Sequence, residues 1–450
     1  MIAVTNALVE YYDEILKAGA LCQNDSPEVV ADGAFAPSFE LPLMDGRLER
    51  FFSGSTVKVL ELGSYKTSRI RLLDMTLNPR TRTTKTFASH VMVARAIRHI
   101  QTTGESVLLV TPSSANKGVA LRDAVLKAIE CELVQPHQLR IAIVVPRRGL
   151  PKLWSSQLAT SPKLRQLNPV FLVQTDDGSA VKRLTKSFVE QHSVQLRNEQ
   201  GVRVWHTYQL DNYRMGDAVR AFIEASRLEH PIPSGVRIHA QAVSSAFGLL
   251  GYDHGRRVLT EVLGRDSGTP AQWLLVQHLG TPDLVLHGLY GSCSRQNMPN
   301  YTADRSSGLL VQSSSLAFPF KTAAPDDEID STFYSKNPAT AEMVSAIQRR
   351  QGGVGIVVSL QECLERYVFL RTLLPSGAPR LPLDHRDLRE WALVMVLTGV
   401  LGAIDRGLVR GGSEILVHAT GSYSVHDYEP LAEQHTISTS DAMDMLHAVQ

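Results

Sequence analysis

Short apolar runs alternate along this chain with segments whose apolar positions recur at helical spacing. "VLLV" (107–110) precedes "GVALRDAVLKAIE", "LRIAIVVP" (139–146) precedes "KLWSSQLA", and "VFLVQT" (170–175) precedes "AVKRLTKSFVEQH". Apolar runs of this length followed by helices are the mark of βαβ units and a parallel sheet. After "VRVWHTYQL" the pattern predicts one long helix over "NYRMGDAVRAFIEASRL" (212–228), then strands at "VRIHAQAV", "QWLLVQHL" and "EILVHAT" (414–420). The expected fold class is α/β, with two domains, 1–205 and 206–450, each a mostly parallel sheet flanked by helices.

The remaining segments read more simply. "MIAVTNALVEYYDEILKAG" at the start reads as an amphipathic helix and not as a secretory leader. "WALVMVLTGVLGAI" (391–404) is too short to span a bilayer and is closed by Asp405 and Arg406, so a buried helix is expected. "LDHRDLREW" (383–391) has acids and bases at helical spacing and reads as a solvated helix face. "KTAAPDDEIDSTFYSKNPAT" (321–340) is acidic and aperiodic, which predicts a surface loop, and "QGGVG" (351–355) reads as a turn before the strand "GIVVSL".

Composition narrows the function classes. The chain has 450 residues, 43% of them hydrophobic, with 46 basic against 45 acidic side chains. That is a globular chain with a sizeable core and no global attraction to nucleic acid or anionic membranes. Its four cysteines are scattered without paired spacing, which predicts a reduced cytoplasmic protein with no disulfide framework and no thiolate metal site. No HExxH, P-loop or GxSxG motif is present.

Parallel sheets bind ligands beyond the carboxyl ends of their strands, so the strand-to-helix turns are where chemistry is expected. Four such turns stand out. "LNPRTRTTKTFASHVMVARAI" (77–97) sets Lys85 at a helix start, where the dipole disfavours an ammonium, as a Schiff-base lysine requires. "TPSSANKGVALRDAV" (111–125) offers free helix amides to an anion, although Ser113, Ser114 or Asn116 could simply cap the helix. "HAQAVSSAFGLLGYDHG" (239–255) puts the hydroxyls of Ser244 and Ser245 in a turn able to hold a phosphate. "EILVHATGSYS" delivers Thr420 and then a turn glycine, Gly421; its alternative reading is an ordinary capping threonine.

Taken in order, these segments resemble the fold-type II pyridoxal-phosphate enzymes, the tryptophan-synthase-β and threonine-synthase superfamily. "NPRTRTTKTFA" is similar to the family's N-P-T-G-S-F-K-D-R, with one extra residue before Lys85. Ser113, Ser114, Ala115, Asn116, Lys117 and Gly118 match the asparagine loop S-S-G-N-x-G. The stretch Gln241 to Gly248 resembles the Q-A-V-G-S-G-T-G-G turn of threonine-synthase-like cysteate synthases. "LLVQHLGTPDLVLHGLYG" is similar to their S-Q-N-x-P-F-x-P-M segment, and Thr420-Gly421 to their terminal T-G-G-G turn.

The resemblance implies pyridoxal 5'-phosphate as cofactor, held by Lys85, by Asn116 beside its 3-hydroxyl, by Ser244, Ser245, Ala246, Phe247 and Gly248 at its phosphate, and by Thr420 at its ring nitrogen. It implies that Ser113 and Ser114 take the carboxylate of a small amino-acid substrate. Departures fall around the substrate: Arg80 and Arg82 precede the lysine, Lys117 stands in the asparagine loop, and the phosphate turn lacks two glycines and carries Phe247. Arg80, Arg82 and Lys117 are therefore read as a pocket for an anionic substrate group. The implied activity is β- or γ-elimination and replacement on an amino acid with an anionic leaving group, in a homodimer; the altered loops point to a specialised donor or nucleophile. The competing reading is a catalytically silent cofactor- or amino-acid-binding protein.

Overall fold

The parallel pairing read from the sequence builds two sheets in the computed structural model, which describes residues 1–25, 35–175, 177–207, 209–330, 343 and 354–450. The larger has seven strands in the order Ile2–Val4, Val57–Tyr65, Ser68–Asp74, Glu414–Ala419, Arg237–Ala242, Ala271–His278 and Val354–Val358. Its first two pairings are antiparallel and the other four parallel. The smaller sheet is parallel throughout: Ile437–Thr439, Val170–Val173, Leu139–Pro146, Ser106–Pro112 and Val202–His206. The α/β class is as expected. Central strands such as Leu139–Pro146 are buried along their whole length, which explains why they read as unbroken apolar runs.

The sheets do not divide the chain at 205. Residues 2–74 give three strands to the larger sheet, and Ile437–Thr439 returns to the smaller one. Local pattern could not show this, because strand partners are chosen by register across the whole chain.

Three local expectations are corrected. Only the end of "KLWSSQLA" is helical: a 3-10 turn covers Arg147–Lys152, Trp154 bridges to Pro430, and the helix is confined to Gln157–Thr160. The long helix at 212–228 is two, Leu210–Asp217 and Val219–Arg227. The break falls where the Phe247–Arg257 helix crosses at Gly251 and Gly255; an added Cβ would meet Asp217 Cβ at 2.3 Å and Ala218 O at 2.5 Å. Within 383–391, Leu388–Glu390 is a short strand paired with Tyr423–Ser424, and Glu390 is buried.

The first residues pair as a strand before the helix Tyr12–Asp25 begins. Ala392–Asp405 is the buried helix expected, packed on the larger sheet. Of the loop at 321–340, Lys321 to Asp330 is described and ends in a buried Asp330, while 331–340 lies outside the described residues, as does the turn at 351–353. Among the described residues no helix is long and apolar enough to cross a membrane.

The helix Lys85–Thr103 packs against the helices Asn116–Glu130 and Leu210–Asp217. Gly216 makes the second contact possible, since a Cβ there would lie 2.6 Å from Ala88 Cα and 2.7 Å from Ala88 N. Backbone cannot yield as a flexible side chain can. Gly216→Ala is therefore expected to cost about 1–3 kcal/mol, read as a lowered urea midpoint. Gly288→Ala, in a helix with open space around it, should be neutral or slightly stabilising. Equal effects at both positions would show that the close approach does not matter.

Candidate active site

Two of the turns singled out in the sequence are zipped together. The Thr84 amide donates to Thr420 O at 3.0 Å, Thr83 Oγ1 donates to the same carbonyl at 3.1 Å, and Thr83 bridges to Gly421. The register explains this meeting: Ala419 lies opposite Asp74, so both strands end at one level and their turns emerge side by side. The threonine-rich run before Lys85 also holds itself, through Thr81 and Thr86 hydroxyls 2.6 Å apart and Thr86 Oγ1 donating to Thr83 O.

Lys85 begins its helix, with Nζ 5.2 Å from the ring centre of Tyr213 and 6.0 Å from that of Phe247. Burial lowers its pKa, partly offset by Asp217, with Arg220 adding to the fall. A neutral amine is thereby favoured, as nucleophilic work demands.

Lys85 shares one cavity of about 100 Å³ with Asn116, Lys117, the Ser244–Gly248 turn and Thr420. That is tighter than the ~300 Å³ at which ordinary small-molecule pockets begin. In the Ser244–Gly248 turn, the amides of Ser244, Ser245 and Ala246 have no backbone partner, and neither serine hydroxyl carries a hydrogen bond among the described residues. Ala246 takes a left-handed φ of 54° where the resembled turn uses glycine. Gly248 lies close against two side chains: a Cβ there would sit 2.6 Å from Gln241 Nε2 and 3.3 Å from Arg220 Nη2.

Arg220 is thus a fixed cation directly behind the turn. It is fully buried, held by Asp217 at 2.7 Å, and donates to Thr84 Oγ1 at 2.7 Å. Sequence reading missed it; the one signal was an arginine inside the otherwise apolar "AVRAFI".

Asn116 is engaged at both ends. Its Nδ2 donates to Glu390 Oε2 at 2.7 Å, and Tyr423 OH donates to its Oδ1 at 2.7 Å. Glu390 lines the cavity and also takes Lys152 Nζ at 2.9 Å, while Lys152 reaches Asp330 at 3.0 Å. Burial raises the Glu390 carboxyl, and Lys152 only partly opposes it. Burial would lower Lys152, but the two carboxylates carry it well above its ordinary value. A raised carboxyl keeps its proton more readily, and this one faces the cavity. Gly421 makes room for Glu390: a Cβ there would lie 2.8 Å from Glu390 Cγ.

The expected substrate cluster is not assembled as read. Ser113 is buried and accepts the Gly118 amide at 2.8 Å, a helix-start role, and it does not line the cavity, whereas Ser114 does. Arg80 turns to Asp123 at 2.5 Å and Glu130 at 2.7 Å. Arg82 has a left-handed φ of 49° and, like Arg80, is absent from the cavity wall. Arg80 is thus committed to two carboxylates, while Arg82 Nε is buried without a hydrogen-bond partner. Only Lys117 of the three cations reaches the cavity, with Nζ 3.3 Å from Thr207 O.

Residues 3–450 match the model of a family of unknown function, DUF6002, and the chain belongs to that family. No curated protein matches it in sequence. Among solved structures it is similar to PLP-bound threonine synthase from Brucella melitensis, with a TM-score of 0.51, 12% identity, and coverage of 91% of this chain and 78% of that one. It is also similar to threonine synthase from yeast, with a TM-score of 0.53, 10% identity, and coverage of 87% and 80%. Those likenesses establish the fold-type II architecture.

Burial first, and Lys85 second, bring Lys117 down to about 7. An unfolded chain restores a lysine near ~10.4, so between those values it binds more protons than the folded one, and stability rises with pH. Below pH 7 the cost of the buried charge is fully felt; above about pH 10.5 it is gone. Lys117→Met should be more stable than the parent in urea at pH 6.5, by up to a few kcal/mol, with the gap closing toward pH 10. A gap independent of pH would mean that the charge is solvated in the folded chain.

Proposed function

We propose that this chain binds pyridoxal phosphate through Lys85 and performs elimination or replacement on the side chain of an amino acid bearing an anionic leaving group. One observation carries the reading. A part-buried lysine held toward its neutral form shares a cavity with a turn of unpartnered amides and hydroxyls and with a buried arginine. Those residues fit an aldehyde that also carries a phosphate. The two similar solved structures are threonine synthases, one with PLP bound, which supports the same reading.

Bound there, the cofactor supplies the electron sink for loss of the α-proton and of the leaving group. Lys85 Nζ is the base for that proton, its burial keeping the amine free to accept it. Ser244, Ser245 and the turn amides hold the phosphate, with Arg220 adding charge from behind. Thr420 presents a neutral hydroxyl at the ring nitrogen, and Ser114 takes the substrate carboxylate. Lys117 is the cation left for the anionic leaving group, which favours a threonine-synthase-like or cysteate-synthase-like substrate.

The test begins with the lysine. Borohydride reduction in the presence of pyridoxal phosphate, followed by peptide mapping, should place the label on Lys85, and Lys85→Ala should lose both label and visible absorbance. A label on Lys117, the other lysine in the cavity, would overturn the assignment. Ser245→Ala should weaken cofactor retention about tenfold or more, since a hydrogen bond to a charged group contributes ~1.5–3 kcal/mol. Unchanged retention would move the phosphate elsewhere. A screen of amino-acid donors for keto-acid release then separates an enzyme from a silent binder.

A further inference from the structure

An asparagine amide has two unlike ends, and either can be turned to a ligand. At Asn116, which lines the Lys85 cavity, two residues far away in sequence decide which end it is. In the ribbon of Leu388–Glu390 with Tyr423–Ser424, Glu390 lies opposite Tyr423, so their side chains stand on one face. Glu390 Oε2 accepts from Asn116 Nδ2 at 2.7 Å, and Tyr423 OH donates to Asn116 Oδ1 at 2.7 Å. Glu390 is itself pinned. The Ala392 amide donates to its Oε1 at 3.2 Å, and a Cβ on Gly421 would lie 2.8 Å from its Cγ.

The two contacts are not equal. A tyrosine hydroxyl accepts as well as it donates, so Tyr423 suits either end of the amide. Glu390 Oε2 suits only one. Lys152 Nζ, which can only donate, reaches that same oxygen at 2.9 Å, so Oε2 is an acceptor whether or not Oε1 carries a proton. An acceptor there calls for the amide nitrogen. Burial keeps the proton on Tyr423, which then donates to the carbonyl end. Glu390 lines the cavity and Tyr423 does not, so the nitrogen is the end toward the cavity. Nδ2 carries two protons, and among the described residues it bonds only to Glu390.

We infer that Glu390 is a positioning residue for Asn116: it fixes the amide so that an N–H, and never the carbonyl, is offered to a ligand oxygen in the Lys85 cavity. The clamp is a property of the chain alone. That the ligand oxygen is the ring hydroxyl of pyridoxal phosphate rests on the function proposed above, and an N–H there favours the ionised oxygen over the hydroxyl.

Two arms test the clamp and its consequence separately. In the cofactor-free chain, Asn116→Asp sets a carboxylate oxygen against Glu390 and should lower the urea midpoint more than Asn116→Ala does. With Glu390→Met in the background that difference should fall away. If Asn116→Asp costs no more than Asn116→Ala, or the difference survives Glu390→Met, the clamp does not exist. With pyridoxal phosphate added, the ratio of visible to near-ultraviolet absorbance reports the ionised against the protonated ring oxygen. Glu390→Met should retain the cofactor, since Lys85 and the phosphate turn are intact, yet lower that ratio several-fold. Tyr423→Phe leaves the carboxylate in place and should keep the parent's ratio. Loss of a negative charge by itself would favour the ionised oxygen, so an unchanged or raised ratio in Glu390→Met overturns the inference. A parent chain that takes up no pyridoxal phosphate would overturn the proposed function instead, and the cofactor-free arm would still decide the clamp.

Discussion

The parallel pairing of Ser68–Asp74 with Glu414–Ala419 is the constraint on which the rest of the site depends. It aligns the ends of two strands that lie far apart in the chain, so the turn leading to Lys85 and the turn carrying Thr420 leave the sheet together. The hydrogen bond from Thr83 to Thr420 spans 337 residues of sequence, yet it is a local contact once that register is set. A shift of one residue would reverse which side chains face the core and would separate the two turns. Arg237–Ala242, the next strand across, ends at the same level and brings the Ser244–Gly248 turn to the same rim. One register therefore collects three turns.

Beneath that rim the core carries buried polar and charged side chains, and several of them pair. Arg220 donates to His418 Nδ1 at 3.0 Å, and the rings of His418 and His239 meet through Nε2 and Nδ1 at 2.9 Å. Since an arginine can only donate, the network assigns the proton of His418 to Nε2, which then donates to His239. Further along, Arg237 joins Glu224 at 2.6 Å and Glu414 at 2.8 Å. A buried charge of this kind is tolerable only with every partner present, and here the partners sit on neighbouring strands and on the Val219–Arg227 helix. Asp217, Arg220 and Glu390 border the cavity and are the charges that act on Lys85. Arg122 stands out by contrast, being also buried but bonded to a carbonyl, with no carboxylate partner among the described residues.

Glu390 shows how local reading and tertiary environment part company. In "LDHRDLREW" the charged spacing suits an exposed helix. The ribbon with Tyr423–Ser424 turns that segment into a strand, and Lys152 and Asn116 then close around the carboxylate. The arginines before Lys85 went the opposite way. Their charge suggested a substrate pocket, but Asp123 and Glu130 on the adjacent helix capture Arg80, and a left-handed backbone turns Arg82 aside.

By itself the sequence determined the class of fold, most of the central strands, and the helix starts at Lys85, Asn116 and Phe247. Those follow from apolar periodicity and turn chemistry, which act over a few residues and are written in order along the chain. It also marked which turns carry lysine, asparagine, serines and threonine. Only the tertiary structure decided that residues 2–74 belong to the sheet of the second half, that Glu390 and Arg220 line the cavity with Lys152 held behind Glu390, and that Ser113, Arg80 and Arg82 do not line it. Those outcomes depend on strand register and on which partner reaches a charge first. Both are set by contacts between segments hundreds of residues apart, and no local pattern encodes them.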